Sequence, residues 1–187
     1  MRITGGEAKG RHLESPKGMA IRPTSDRVRE AIFNIIGQDI SGMRVLDLFA
    51  GTGSLGIEAL SRGALHALFV DNSQNSICLL KKNLALCGYQ DSGSVARVNL
   101  RHGIPRNHLL LKDTYDLIFL DPPYRENLIP FLLKALIKNH VLSSGSQVIA
   151  ESHKGRSLPV SLEKLKIMDR RSHGDTTISI YSYDLGR

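Results

Sequence analysis

From residue 43 onward, short apolar runs alternate with helix-length amphipathic segments, and that alternation leaves few folds open. Val45-Leu46-Asp47-Leu48-Phe49 is the first run, followed by a glycine loop and a helix expected over residues 54–61. Ala67-Leu68-Phe69-Val70 is the second and ends at Asp71. Residues 73–87 then place Ile77, Leu80, Leu84 and Cys87 along one helical side. A weaker strand is expected over 95–99, a strong one over 115–120, a helix over 128–138 and a strand over 147–150. Residues 163–172 and 175–184 read as a hairpin turning at Gly174-Asp175. Strands that alternate with helices imply a parallel sheet with helices on both faces. Ligands of such sheets bind at the carboxyl ends of the strands, which directs attention to the residues after Phe49, Val70 and Leu120.

Residues 1–24 differ from this pattern. They are rich in Gly, Lys and Arg, with strand-like pieces around Gly5-Gly6 and Lys9-Gly10, and read as a basic arm or hairpin ahead of a main domain over 25–187. A helix start follows, with Thr24 or Ser25 as N-cap, and Val28, Ala31, Ile32, Ile35 and Ile36 form its expected buried stripe. Arg27, Arg29 and Glu30 lie off that stripe, and the helix is expected to end near Gly37. Residues 1–30 carry seven Lys/Arg against four acids, and the whole chain carries 25 Lys+Arg against 18 Asp+Glu, a net +7. This excess suits a polyanionic partner. A second basic set comes late: Lys154, Arg156, Lys164, Lys166, Arg170 and Arg171. At 187 residues with 41% hydrophobic content the chain builds a core without staples. Cys78 and Cys87 belong to no metal or redox pairing and are expected as buried, inert thiols. No apolar run approaches a membrane span and no signal region opens the chain, so a cytoplasmic protein without membrane contact is expected.

Gly51-Thr52-Gly53-Ser54-Leu55-Gly56 fits G-x-G-x-x-G between a strand and a helix, with Asp71 fifteen residues beyond Gly56. A dinucleotide site fits these facts, with Asp71 on the ribose hydroxyls. Asp47 inside the strand favours a different cofactor. A carboxylate there is costly to bury unless a cationic or hydrogen-bonding group meets it. The ammonium of S-adenosylmethionine is such a group, and that ligand brings no pyrophosphate. Asp47 as the cap of a nearby turn is the plain structural alternative.

Asp121-Pro122-Pro123-Tyr124 follows the strongest strand. The two prolines fix the backbone and remove its donors, leaving an acceptor-lined slot. Asp121 and the Pro122 carbonyl suit an exocyclic amine, and Tyr124 suits stacking on a flat base. Acceptors at the amine hydrogens direct the nitrogen lone pair toward a sulfonium methyl. This chemistry needs no metal. The seven histidines are scattered and form no ligand spacing.

At this point the chain resembles the small-subunit ribosomal RNA guanine-N2 methyltransferases of the RsmD type, over essentially its whole length. The matching stretches are residues 1–6, 9–11 and 22–30 (Arg-Pro-Thr-Ser-Asp-Arg-Val-Arg-Glu), then 47–56, 121–124 and 174–176. The resemblance implies a Rossmann-like class I methyltransferase fold, α/β, with a mostly parallel seven-stranded sheet, helices on both faces and a C-terminal antiparallel hairpin. It implies S-adenosylmethionine as cofactor, leaving as S-adenosylhomocysteine, held by Asp47, Phe49, Ala50, Gly51, Thr52, Gly53, Asp71 and Asn72. The target guanine amine in 16S ribosomal RNA would sit at Asp121 and Pro122, with Pro123 stiffening the loop and Tyr124 against the base. Arg2, Lys9, Arg11, Arg22, Arg27 and Arg29 would grip RNA. The family usually carries Asp or Asn after the third strand for the adenine amine. Here Arg101 falls at that position and offers no acceptor, so Asn99 or a backbone carbonyl takes the role. Little chain is left for a DNA-reading domain, so sequence-specific DNA methylation is not expected and ribosomal RNA within small-subunit particles, recognised by shape, is; the protein is expected to be a monomer. The alternatives are an amino-methyltransferase acting on adenine or cytosine of another nucleic acid, and a non-catalytic RNA-binding assembly factor.

Overall fold

The computed structural model describes residues 1–15, 26–105, 113–123 and 127–185. The chain divides into two compact units, Met1–Val98 and Asn99–Arg187.

The first unit opens with the arm, which is a hairpin. Arg2 pairs antiparallel with His12, the Ile3 amide donates to the Arg11 carbonyl at 2.9 Å, and the Leu13 amide donates to the Met1 carbonyl at 3.0 Å. Ile3, Ala8 and Leu13 are buried, so the hairpin is anchored by its few apolar residues while its cations face outward. Helix α1 (Asp26–Ile36) follows, then β1 (Arg44–Leu48), α2 (Ser54–Ser61), β2 (His66–Asp71), α3 (Gln74–Cys87) and β3 (Gly93–Arg97). β1 and β2 run parallel in the register Arg44↔His66 to Leu48↔Val70, and β2 pairs parallel with β3. Val45, Leu46 and Leu48 of β1 and the stretch from Ala67 to Val70 of β2 are buried, as expected of strands covered on both faces.

The second unit contains a 3₁₀ turn (Leu100–His102), β4 (Tyr115–Leu120), α4 (Ile129–Lys138), β5 (Leu142–His153), β6 (Ser161–Leu162), β7 (Leu165–His173) and β8 (Thr176–Tyr183). β4 and β5 are parallel; β5–β8, β8–β7 and β7–β6 are antiparallel. The arrangement is the expected α/β one, with parallel strands first and the hairpin at Gly174-Asp175 last. Eight strands are present among the described residues rather than seven, the added one being the two-residue β6. β5 also starts at Leu142, five residues before the apolar run that announced it, because Ser143, Ser144 and Gly145 show no strand pattern.

Two local expectations are corrected. The buried face of α1 is Val28, Arg29, Ile32 and Phe33, so the stripe is rotated to include Arg29. Cys78 is exposed while Cys87 is buried. No helix among the described residues is long and apolar enough to cross a membrane.

Candidate active site

In the first unit the expected cofactor residues converge where β1 meets α2. Asp47 is 2% exposed, and its Oδ2 accepts the Gly56 amide at 2.9 Å. That amide belongs to the first turn of α2, whose N–H groups have no partner within the helix. Burial pushes the Asp47 carboxyl up to about 7, the nearby Asp71 charge adds to the rise, and the Gly56 amide opposes it. Gly56 has to be glycine: a Cβ there would overlap the Phe69 ring and lie 3.1 Å from Asp47 Oδ2.

The loop itself is tightly braced. Phe49 leaves β1 with φ 63°, a left-handed conformation that a bulky residue adopts only where its surroundings impose it. The Ala50 amide donates to the Val70 carbonyl at 3.0 Å and the Gly53 amide to the Ala50 carbonyl at 2.7 Å. Asp71 closes the loop from β2. Its Oδ2 accepts the Gly51 amide at 2.9 Å and its Oδ1 the Ser73 amide at 2.8 Å. Asn72 is exposed, and its carbonyl accepts from Arg97 Nε at 3.1 Å. Asp47, Phe49, Ala50, Gly51, Thr52, Gly53, Asp71 and Asn72 therefore form one cluster. An acid at Asp47 beside the glycine loop disfavours a pyrophosphate and suits a ligand bearing a cation, while Asp71 suits hydroxyl groups.

Sequence reasoning missed two supporting residues in this unit. Asn83 of α3 is fully buried, and its Nδ2 donates to the Thr52 carbonyl at 2.9 Å. Its signal was a polar residue on the apolar side of the helix, between Leu80 and Leu84. Glu58 of α2 is also fully buried and binds Arg29 Nε at 3.0 Å and Arg62 NH2 at 2.8 Å.

In the second unit, Asp121, Pro122 and Pro123 leave the end of β4; Asp121 is half-buried, Pro122 buried and Pro123 exposed. The register Leu120↔Ala150 brings residues 121–122, just past the end of β4, level with Glu151 and Ser152 inside β5. Pro122, Pro123 and Ile129 line a small, open cleft with Glu151, Ser152, His153 and Arg156. Glu151, 5% exposed, was also missed, although it is the first acid after the apolar run of β5, as Asp71 is after that of β2. Tyr124 lies outside the described residues. Asn99 and Arg101 lie at the 3₁₀ turn, where Asn99 Oδ1 accepts the Arg101 amide at 3.1 Å and the Arg101 side chain is exposed.

Of the expected RNA contacts, Arg2, Lys9, Arg11 and Arg27 are exposed, and Arg22 lies outside the described residues. Arg29 is the correction. It is fully buried, and its guanidinium serves Glu58, Asp26 at 2.9 Å and the Arg2 carbonyl. A cation neutralised inside the protein is not presented to phosphate.

These features define a Rossmann-like α/β protein with acids, rather than cations, beside its glycine loop. The chain belongs to the family described as conserved hypothetical protein 95, whose model matches residues 1–182, and the expected RsmD-type resemblance is borne out. Ribosomal RNA small subunit methyltransferase D of Escherichia coli (strain K12) is 33% identical over 182 residues, covering 97% of this chain and 89% of that protein. YlbH of Bacillus subtilis (strain 168) is 38% identical over 183 residues, covering 97% and 98%. The solved structure of Escherichia coli yhhF superposes with a TM-score of 0.85 at 32% identity, covering 100% of this chain and 99% of that one. The fold recurs, at 17% identity and a TM-score of 0.62, in an RNA methyltransferase from Salinibacter ruber solved with S-adenosyl-L-homocysteine; the matched region covers 88% of this chain and 95% of that one.

Proposed function

We propose that the protein transfers a methyl group from S-adenosylmethionine to the exocyclic N2 amine of a guanine in small-subunit ribosomal RNA. The observation that carries the cofactor is Asp47, a buried carboxyl pushed up to about 7 at the foot of the glycine loop. A neighbouring ammonium restores its charge and offsets its desolvation. A nicotinamide dinucleotide brings no ammonium to Asp47 and would set its pyrophosphate beside that acid. Asp71 retains lone pairs for the ribose hydroxyls alongside the two amides it already accepts. Bound S-adenosylmethionine supplies an electrophilic sulfonium methyl.

Asp121 and the Pro122 carbonyl accept the hydrogens of the amine and hold its lone pair toward that methyl. The N–C bond forms as the C–S bond breaks, and the amine proton passes to water or to Asp121. The names of the relatives support ribosomal RNA as substrate, and the exposed Arg2, Lys9, Arg11 and Arg27 support a phosphate-gripping arm. In this reading residues 1–24 are the RNA arm, 25–187 the methyltransferase domain, and the protein works as a cytoplasmic monomer on small-subunit particles.

The test is methyl transfer from labelled S-adenosylmethionine to unmodified small subunits and to naked RNA, followed by nucleoside mass analysis. N2-methylguanosine is expected, and Asp121→Ala should abolish it while cofactor binding persists. A methylated adenine or cytosine would replace guanine in this reading. RNA binding with no transfer to either substrate would refute catalysis and leave an assembly factor.

A further inference from the structure

Asn83 has more partners than a packing residue needs. Its Oδ1 accepts the Glu14 amide at 2.8 Å, while its Nδ2 donates to the Glu14 carbonyl at 3.2 Å and to the Thr52 carbonyl at 2.9 Å. An asparagine within a helix competes with the helical backbone and lowers helix propensity. Its burial is tolerated because the amide's two donors and its acceptor are all satisfied. One end of this bridge is the base of the arm; the other is the loop between Gly51 and Gly53.

A second tie runs in parallel. Glu58, two residues past Gly56 on α2, accepts the Thr4 amide at 2.9 Å and the Gly5 amide at 2.7 Å. Ser61 accepts the Ala8 amide at 2.9 Å through Oγ. The hairpin that displays Arg2, Lys9 and Arg11 is thus fixed to the helix whose first turn holds Asp47, and Asn83 fixes its outgoing strand to the loop itself.

We propose that Asn83 is a positioning residue that couples the arm to the cofactor loop, so that RNA held by the arm tightens cofactor binding and the cofactor tightens RNA binding equally. The equality is required by linkage. The inference rests on the functional reading above. It requires that ordering the arm hold Glu14 against Asn83 and thereby hold the Thr52 carbonyl in place.

The experiment measures the dissociation constant of S-adenosylhomocysteine, which allows no turnover, with and without a saturating unmodified small-subunit RNA fragment. In the wild-type protein RNA should lower that constant about fivefold or more. In Asn83→Ala each ligand alone still binds, and the factor should fall at least twofold, the tie through Glu58 and Ser61 being left in place. A structural role alone would weaken folding and leave the factor unchanged, so an equal factor in both proteins overturns the proposal, as does a wild-type factor of one. Should Asn83→Ala fail to fold, hydrogen exchange of the Glu14 amide in the wild-type protein decides the matter. Saturating S-adenosylhomocysteine should slow that exchange severalfold, and an unchanged rate overturns the coupling. Absence of any S-adenosylhomocysteine binding by the wild-type protein is a different failure, which removes the cofactor reading and this inference with it.

Discussion

Replacing Asp47 by Asn isolates what a buried carboxyl does to this fold. Asn keeps an oxygen for the Gly56 amide and nearly the same volume, but has no proton to lose. In the wild-type protein the Asp47 carboxyl is raised from 3.8 to about 7. A raised carboxyl binds its proton more tightly folded than unfolded, so stability is fully present below pH 3.8 and is lost as the pH rises through 7. The shift is about three pH units, and each unit is about 1.4 kcal/mol, giving a loss near 4 kcal/mol by pH 8. Urea melts of both proteins without ligand, between pH 4 and 8, read this directly. The stability of Asp47→Asn minus that of the wild type should be near zero at pH 4. It should grow by about 1.4 kcal/mol per pH unit between pH 5 and 6, then level off above pH 7. Groups common to both proteins cancel in the difference. S-adenosylmethionine should raise the melting temperature of the wild type at pH 8 and leave the variant unmoved. Parallel pH profiles, or a variant less stable than wild type at pH 8, would refute the burial argument.

Three further outcomes are expected. Gly56→Ala drives a methyl group against the Phe69 ring and Asp47; calorimetry should show loss of cofactor binding and denaturant melts a cost of about 1–3 kcal/mol. Glu58→Ala leaves Arg29 and Arg62 buried without their carboxylate, at about 3–5 kcal/mol, and should lower Tm by roughly 10 °C while exposing the arm to limited proteolysis. Arg11→Glu should weaken RNA binding and reduce the slope of log affinity against log salt by about one, which filter binding across a salt series would register.

What could be read from the sequence follows from where the apolar side chains go. β1, β2 and β4 are covered on both faces, so each shows as a mainly apolar run, and an acid inside such a run (Asp47) or at its end (Asp71, Asp121) stands out. Asp47, Asp71 and Asp121 were found this way. Glu151 obeys the same rule but follows a run interrupted by serine and glycine upstream. The ion network escaped because its partners are far apart in the chain: Arg29 and Glu58 are 29 residues apart, and neither shows a local pattern. Arg29 does share a helical face with Ile32 and Phe33, at spacings of three and four, so its burial was legible once the stripe was placed correctly. The cysteines were legible too. Nine residues at about 100° each put Cys78 and Cys87 on opposite sides of α3, so burying one exposes the other.

The end of β1 and the loop that follows it concentrate two unfavourable features in a few residues: a carboxyl held out of water at Asp47 and a left-handed backbone at Phe49. Each costs about 1–4 kcal/mol, and neither helps the free protein fold. Such features persist where the surroundings over-determine them. Here those surroundings are the Gly56 amide, the Asp71 carboxylate on Gly51, and Asn83 on Thr52. A ligand that brings a cation to Asp47 removes the largest of these costs. Its binding energy therefore includes relief of a strain already built into the protein, and affinity should depend on pH through the same group. As the pH falls below 7, Asp47 in the free protein takes up a proton that the ammonium must displace, and cofactor affinity should fall about tenfold per unit. Titration calorimetry from pH 5 to 8 measures that slope. A flat profile would mean that the cation is met elsewhere and that Asp47 serves only to cap α2.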